Sequence, residues 1–371
     1  MIIGIPKEIK NNEYRIGMIP GGVHALVQAG HTVLVQKEAG TGSGISDDEY
    51  REAGAEILEK ASDVWGRSEM IIKVKEPLEE EWPFIRRDHL LFTFFHFASS
   101  RPLTEAMMKS GAVCVTYETI ELEDGRLPLL TPMSEVAGRM AVQEGAKYLE
   151  KPSMGRGILL GGVPGVEPAH VVVIGGGIVG SSAARMASGL GARVTILDVD
   201  LDRLRYLDEI MPKNVTCLFS NAYTVAEKVK TADLVVGAVL TTGAKAPVLV
   251  PRTLLKDMHP GAVIVDVAVD QGGCVETCKP TTHAEPVFLV DGVLHYCVAN
   301  MPGAVGRTST YALSNATLPY ALQLANKGFR QAALESKEIA RGINVIDGKV
   351  TYEGVAEAFN MEYNSVYELL A

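Results

Sequence analysis

Short apolar runs recur along this chain, separated by segments whose apolar residues fall at helical spacing. The runs Met1–Ile5, Thr32–Val35, Met70–Val74, Leu90–His96 and Ala112–Tyr117 predict strands. The segments Gly22–Ala29, Asp47–Glu59 and Pro102–Met108 predict helices. Strand and helix alternate over residues 1–128, the pattern of a parallel sheet with helices on both faces. Ser134–Leu149 then predicts one long helix with Ser134 as its N-cap. A loop rich in glycine and proline follows, Pro152–Pro168. Further strands are predicted at His170–Ile174, Ala192–Leu197, Asn214–Leu218, Leu234–Val239 and Ala262–Val269. A second long amphipathic helix, about Ser309–Ala325, precedes a mostly helical tail. No internal repeat and no low-complexity segment interrupts the pattern.

The strand His170–Ile174 runs straight into Gly175-Gly176-Gly177-Ile178-Val179-Gly180, and Ser181–Ala187 continues as a helix. The next strand ends on Asp198. Strand, G-x-G-x-x-G, helix, strand and acid stand in the order a dinucleotide site needs. Gly175 permits the tight turn, Gly177 lets a pyrophosphate approach the backbone, and Gly180 lets helix and strand pack closely. The helix N-terminus offers N–H groups and a dipole that favours phosphate. Asp198 would accept bonds from the adenosine ribose and repel a 2′-phosphate, so NAD is expected over NADP. Arg203 reads as a solvated helix residue beside Asp200 and Asp202 rather than a phosphate ligand. The fold class is therefore α/β: two doubly wound Rossmann-like domains with parallel sheets, linked by two long helices around a cleft. Residues 1–128 and 307–371 would form the substrate domain, and residues 129–306 the nucleotide domain.

Composition narrows the class. At 371 residues the chain exceeds one ordinary core. A hydrophobic fraction of 47% and 37 glycines suit an α/β protein with many tight turns. A net charge of −10 argues against nucleic acid or an anionic membrane surface as partner. The five cysteines are odd in number and scattered, as expected of reduced thiols in the cytoplasm. Cys274 and Cys278 have no second pair, so no metal is expected. The N-terminal segment lacks the basic start and apolar core of a signal peptide, and no apolar stretch approaches the ~20 residues of a membrane span.

Candidate chemistry falls at strand ends, where ligands bind in doubly wound sheets. His96 ends one apolar strand and is suited to moving protons near neutral pH; the alternative is a core histidine bonded to backbone. Arg15 and Lys75 follow two other strands of the same half. An arginine grips a carboxylate with two bonds and a lysine adds a point charge; the alternative is a pair of surface charges. Asp270 ends the strand Ala262–Val269, towards the nicotinamide end of a dinucleotide, with Asp266 as a more structural rival. The alternative for Asp270 is a turn residue before Gln271-Gly272-Gly273. Val298-Ala299-Asn300-Met301-Pro302-Gly303 forms a second turn that would close over the ring, or a plain loop.

These stretches together resemble the NAD-dependent L-alanine dehydrogenases, and the likeness covers essentially the whole chain. It rests on Ile5-Pro6-Lys7-Glu8, Glu13-Tyr14-Arg15, Val74-Lys75-Glu76-Pro77, Phe95-His96, Met133-Ser134-Glu135-Val136-Ala137-Gly138 and Gly175–Gly180. The most specific segments are Asp266–Gly273, with its Asp-Gln-Gly-Gly, and Asn300–Val305, with its Met-Pro-Gly. One departure is Ile16-Gly17-Met18-Ile19-Pro20, where the family looks more like Val-Ala-Leu-Thr-Pro. The same superfamily includes the NAD-binding subunit of proton-pumping transhydrogenase and, more distantly, saccharopine dehydrogenase.

The resemblance implies reversible oxidative deamination of L-alanine to pyruvate and ammonium with NAD as cofactor. His96 would be the acid/base group and Asp270 the second catalytic residue. Arg15 and Lys75 would bind the substrate carboxylate and carbonyl oxygen. Ser134, Ile178, Val179, Asp198, Arg203, Ser220, Val239, Leu240, Val267, Val298 and Met301 would line the cofactor. Gly175, Gly177, Gly180, Ala268, Val269, Asp270, Ala299 and Asn300 complete that set. The resemblance also implies a homohexamer. Two other readings stay open: a transhydrogenase-type NAD-binding subunit, and an NAD-sensing protein without turnover.

Overall fold

The first apolar runs form six strands: β1 (Ile2–Ile5), β2 (Thr32–Gln36), β3 (Glu56–Leu58), β4 (Met70–Ile72), β5 (Leu90–Thr93) and β6 (Val113–Thr116). All are parallel, in the order β6-β5-β4-β1-β2-β3. Every residue of β4, β5 and β6 is buried, as expected of a parallel sheet covered on both faces. The chain first builds outward from β1 through β2 to β3, then crosses to β4 on the other side. The strand order therefore reverses between β1 and β4.

A second sheet holds β7 (His170–Ile174), β8 (Arg193–Asp198), β9 (Val215–Phe219), β10 (Leu234–Gly237), β11 (Val263–Asp266), β12 (Val287–Val290) and β13 (Val293–Tyr296). Its order is β12-β13-β11-β10-β7-β8-β9, parallel except for β12. Here the order reverses between β7 and β10. Strands β14 (Ile343–Ile346) and β15 (Lys349–Val350) then return to the first sheet and extend it antiparallel beyond β6. The chain divides into two units, Met1–Met133 with Gly303 onward, and Ser134–Pro302. This structure is a computed structural model; it describes residues 1–239 and 246–370, and only the backbone of residues 270 and 271.

Several expectations are corrected. Asp47–Glu59 is not one helix: Asp47–Glu52 is helical, a turn follows at Ala53-Gly54, and β3 pairs with β2. The tail is not mostly helical at its centre, because the apolar run Ile343–Ile346 pairs with β6. Asp347-Gly348, both at positive φ, turns it back as a tight hairpin. The helix expected at 309–325 spans Gly306–Glu335, interrupted at Gly328 (φ 71°, ψ 160°). Ser134 is no N-cap: the helix runs Thr131–Tyr148, and Pro132 fits its first turn because a first-turn N–H has no helical partner anyway. The strands predicted to end at Val74, His96 and Val269 end at Ile72, Thr93 and Asp266. In each case the chain leaves the ladder where the candidate chemistry begins.

At the departure from the resembled family, Ile16 and Met18 are fully buried. A Cβ on Gly17 would lie 2.6 Å from the Ile72 carbonyl oxygen, so the chain packs directly on the end of β4.

Candidate active site

In the first unit the carboxyl ends of β1, β4, β5 and β6 share one sheet edge, because the strands are parallel. His96 follows β5 there. It is not a core histidine: 44% of its side chain is exposed. Its ring stacks on Phe94, with centroids 5.7 Å apart and planes within 5°. Its backbone is left-handed (φ 50°), a conformation that needs support in a non-glycine residue. Glu118, just past β6, supplies that support. Its Oε1 accepts from the His96 N–H at 2.6 Å and lies 4.0 Å from Nδ1. The Phe95 N–H donates to the same carboxylate.

Lys75 follows β4 and is half-buried. Burial first, then the nearby Arg15 charge, holds its ammonium below the ordinary lysine value. Its carbonyl accepts from the Thr93 hydroxyl at 3.0 Å, and the Phe94 N–H donates to Val74, so the Lys75 and His96 segments leave the sheet side by side. Arg15 is buried. Glu13 takes its Nε at 2.6 Å and Nη2 at 2.5 Å, and Met133 Sδ lies 3.1 Å from Nη1.

The second unit carries the glycine turn at the reversal between β7 and β10. Gly175 has φ 102°, and a Cβ there would lie 2.6 Å from the Ala238 carbonyl oxygen, where β10 leaves the sheet. Gly177 is exposed, and a Cβ on it would meet nothing within 4 Å, which leaves the side from which a pyrophosphate would come. A Cβ on Gly180 would overlap the Gly175 carbonyl oxygen. The helix Ile178–Gly189 starts here with no side-chain cap, so its first N–H groups are not claimed by a capping residue. Asp198 ends β8 and accepts from the Gly176 N–H at 2.5 Å and the Asp200 N–H at 2.9 Å. Gly180→Ala is expected to displace this turn and weaken NADH binding about tenfold or more. Fluorescence titration with NADH checks it.

The remaining residues expected at the cofactor lie around this edge. Ile178 is exposed and Val179 half-buried at the helix start. Ser220, buried just past β9, donates its N–H to the Asp198 carbonyl. Val239 follows β10 and packs on the core. Val267, Ala268 and Val269 open a short 3-10 turn after β11. Val298 and Met301 are buried and Ala299 and Asn300 half-buried, after β13. Ser134 is half-buried in the helix Thr131–Tyr148. Leu240 and the Asp270 side chain lie outside the described residues. Arg203 is not a solvated helix residue: its Nε donates to the Gly176 carbonyl at 2.7 Å, because the helix Leu201–Ile210 begins directly beneath the turn. Among the described residues no cluster fit to hold a metal occurs.

Sequence reasoning missed Glu118 and Glu13, which hold His96 and Arg15. It also missed Gly138, where a Cβ would overlap the Val179 carbonyl oxygen, so the helix Thr131–Tyr148 rests against the start of the cofactor helix. Asp266 is buried and accepts from the Ala268, Cys274 and Val275 N–H groups, which fixes the turn carrying residue 270. Desolvation raises its pKa, partly offset by those bonds.

Residues 4–137 match the description "Alanine dehydrogenase/PNT, N-terminal domain", and residues 141–353 match "Alanine dehydrogenase/PNT, C-terminal domain". The chain belongs to the alanine dehydrogenase/PNT family. It is 56% identical to an alanine dehydrogenase of Methanococcus maripaludis and 55% identical to one of Halomonas elongata, covering all of both chains in each case. Among solved structures, an L-alanine dehydrogenase matches with a TM-score of 0.94 at 51% identity, over 97% of this chain and 99% of that one. A transhydrogenase from Sinorhizobium meliloti matches with a TM-score of 0.80 at 25% identity, over 95% and 99%.

Proposed function

We propose that the protein is an NAD-dependent L-alanine dehydrogenase, interconverting L-alanine with pyruvate and ammonium. One observation carries the reading: a buried guanidinium, a half-buried ammonium and an exposed imidazole follow parallel strands to one sheet edge, in a chain that aligns with alanine dehydrogenases from end to end. Oxidation of NADH by pyruvate plus ammonium, with no partner protein, tests it. NADH binding without turnover would favour a sensing protein. Turnover that requires a second protein would favour a transhydrogenase-type subunit.

The glycine cradle and Asp198 fit NAD, which when bound would exchange hydride with the α-carbon of the substrate. Arg15 would hold the substrate carboxylate and fix which face of the α-carbon is presented. Lys75 would stabilise negative charge developing on the pyruvate oxygen. His96 would accept a proton from the attacking water or ammonia and return it to the leaving group, with Asp270 as the second proton-handling group. Gly175, Gly177, Gly180, Ile178 and Val179 would meet the pyrophosphate, Asp198 the ribose, and Arg203 the same turn from beneath. Ser134, Ser220, Val239, Leu240, Val267, Ala268, Val269, Val298, Ala299, Asn300 and Met301 would complete the contacts.

Because Lys75 must be charged to attract the substrate and its pKa is lowered, pyruvate affinity should fall as pH rises through that lowered value, earlier than for an ordinary lysine. Pyruvate titration of the NADH-loaded enzyme without ammonium checks this. An affinity that stays flat to about pH 10 would count against the Lys75 role.

We place the enzyme in the cytoplasm as a homohexamer. The exposed Leu159, Val163 and Val166 support an assembly that covers them, and the five free cysteines support a reducing compartment. Sedimentation velocity tests the hexamer.

A further inference from the structure

Where the first sheet reverses, between β1 and β4, three charged side chains are buried together. Lys73 Nζ lies 3.1 Å from Glu8 Oε2 and 2.9 Å from Glu81 Oε1. All three side chains are at most 5% exposed. The second oxygen of each carboxylate binds backbone. Glu8 Oε1 accepts from the Val74 N–H at 2.6 Å and the Lys75 N–H at 3.4 Å. Glu81 Oε2 accepts from the Leu78 N–H at 3.0 Å. The Lys73 carbonyl accepts from the buried Tyr117 hydroxyl at 3.0 Å.

Such a cluster is not explained by stability. Burying three charges carries a desolvation cost that their mutual attraction seldom exceeds, and apolar side chains of similar volume often serve as well. Here the ion cluster does something apolar groups do not: it takes hold of successive N–H groups in an irregular segment. After Ile72 the chain leaves the ladder, so the Val74, Lys75 and Leu78 amides have lost their strand partners. The carboxylates replace those partners at fixed positions. Lys73 in turn fixes the carboxylates.

We infer that the buried Glu8–Lys73–Glu81 cluster is a positioning device that sets the backbone of Lys75, and so the place of its ammonium, at the sheet's reversal point. Glu8, Lys73 and Glu81 touch no substrate; they act through Lys75. The inference rests on the role proposed for Lys75. A lysine ammonium displaced by about 1 Å loses most of its value to a developing charge, and errors of that size cost about 10²-fold in rate.

The test is a double-mutant cycle on kcat/KM for pyruvate. Glu8→Gln keeps an oxygen for the Val74 amide but turns an NH2 group towards Lys73, so the segment shifts. Its kcat/KM is expected to fall about 10²-fold, with NADH affinity unchanged. Lys75→Ala should be at least as severe, and the double variant Glu8→Gln/Lys75→Ala no worse than Lys75→Ala alone. The triple variant Glu8→Gln/Lys73→Met/Glu81→Gln removes all three charges but keeps an oxygen for each amide, so it should regain part of the loss; it also takes the place of Glu8→Gln if that variant does not fold. Multiplying effects in the double variant, with Lys75→Ala severe, overturn the inference and leave the active-site reading standing. Near-normal kcat/KM in Lys75→Ala overturns that reading and the inference with it.

Discussion

His96→Ala is expected to lower turnover by ~10²–10⁴ while NADH still binds. Water or ammonia added to a carbonyl-type carbon must lose a proton, and the departing group must gain one. His96 follows β5 with its ring exposed, stacked on Phe94 and backed by Glu118. The cofactor turn belongs to the other unit of the chain, so removing the imidazole should leave NADH affinity intact. Stopped-flow measurement of NADH oxidation, beside a fluorescence titration with NADH, separates the two effects. Asp270→Ala should fall by a similar factor. Turnover close to wild type in either variant would end the assignment of that residue.

Arg15→Ala is expected to raise the Michaelis constants for pyruvate and alanine by about 10- to 100-fold, the worth of a charge-assisted bond to a carboxylate. It should also lower stability by about 3–5 kcal/mol, because it removes the cation opposite the buried Glu13 carboxylate. Arg15→Lys tells these effects apart. It keeps the charge beside Glu13 but not the planar fork, so much of the stability should return while the Michaelis constants stay high. Thermal unfolding and steady-state kinetics on both variants are the measurements. Unchanged Michaelis constants in Arg15→Ala would remove the carboxylate clamp from the mechanism.

Much of this architecture is legible in local pattern. The runs at β4, β5, β7, β10 and β11 are apolar but for the terminal Thr93, His170 and Asp266, because parallel strands are covered on both faces, and such runs can be read without tertiary information. Where reading failed, a short-range signal was outweighed or overlooked. The periodicity of Asp47–Glu59 continued past Gly54, and only pairing with β2 turned Glu56–Leu58 into a strand. Asp347-Gly348 marks a hairpin in the sequence, yet that hairpin needed β6 as an edge to join. Ser134 looked like a cap because a serine preceded apolar helical spacing, but Thr131-Pro132 opens the helix earlier. Arg203 has the local context of a solvated residue, flanked by Asp200 and Asp202, but the helix starts beneath the glycine turn and brings its Nε to the Gly176 carbonyl.

The sequence by itself determined the parallel strands β1, β2, β4–β6 and β7–β11, the dinucleotide turn with its acid, and the placement of Arg15, Lys75 and His96 after strands. Those properties follow from residue type and spacing, which neighbouring residues impose on one another. The tertiary structure decided what holds these groups. Glu13 on Arg15, Glu118 on the left-handed His96 and the Glu8–Lys73–Glu81 cluster behind Lys75 are pairings set by burial and desolvation. A buried charge must find its partner wherever the fold brings one. Lys73 and Glu8 are 65 positions apart in the chain, and it is strand order, not local pattern, that makes them neighbours.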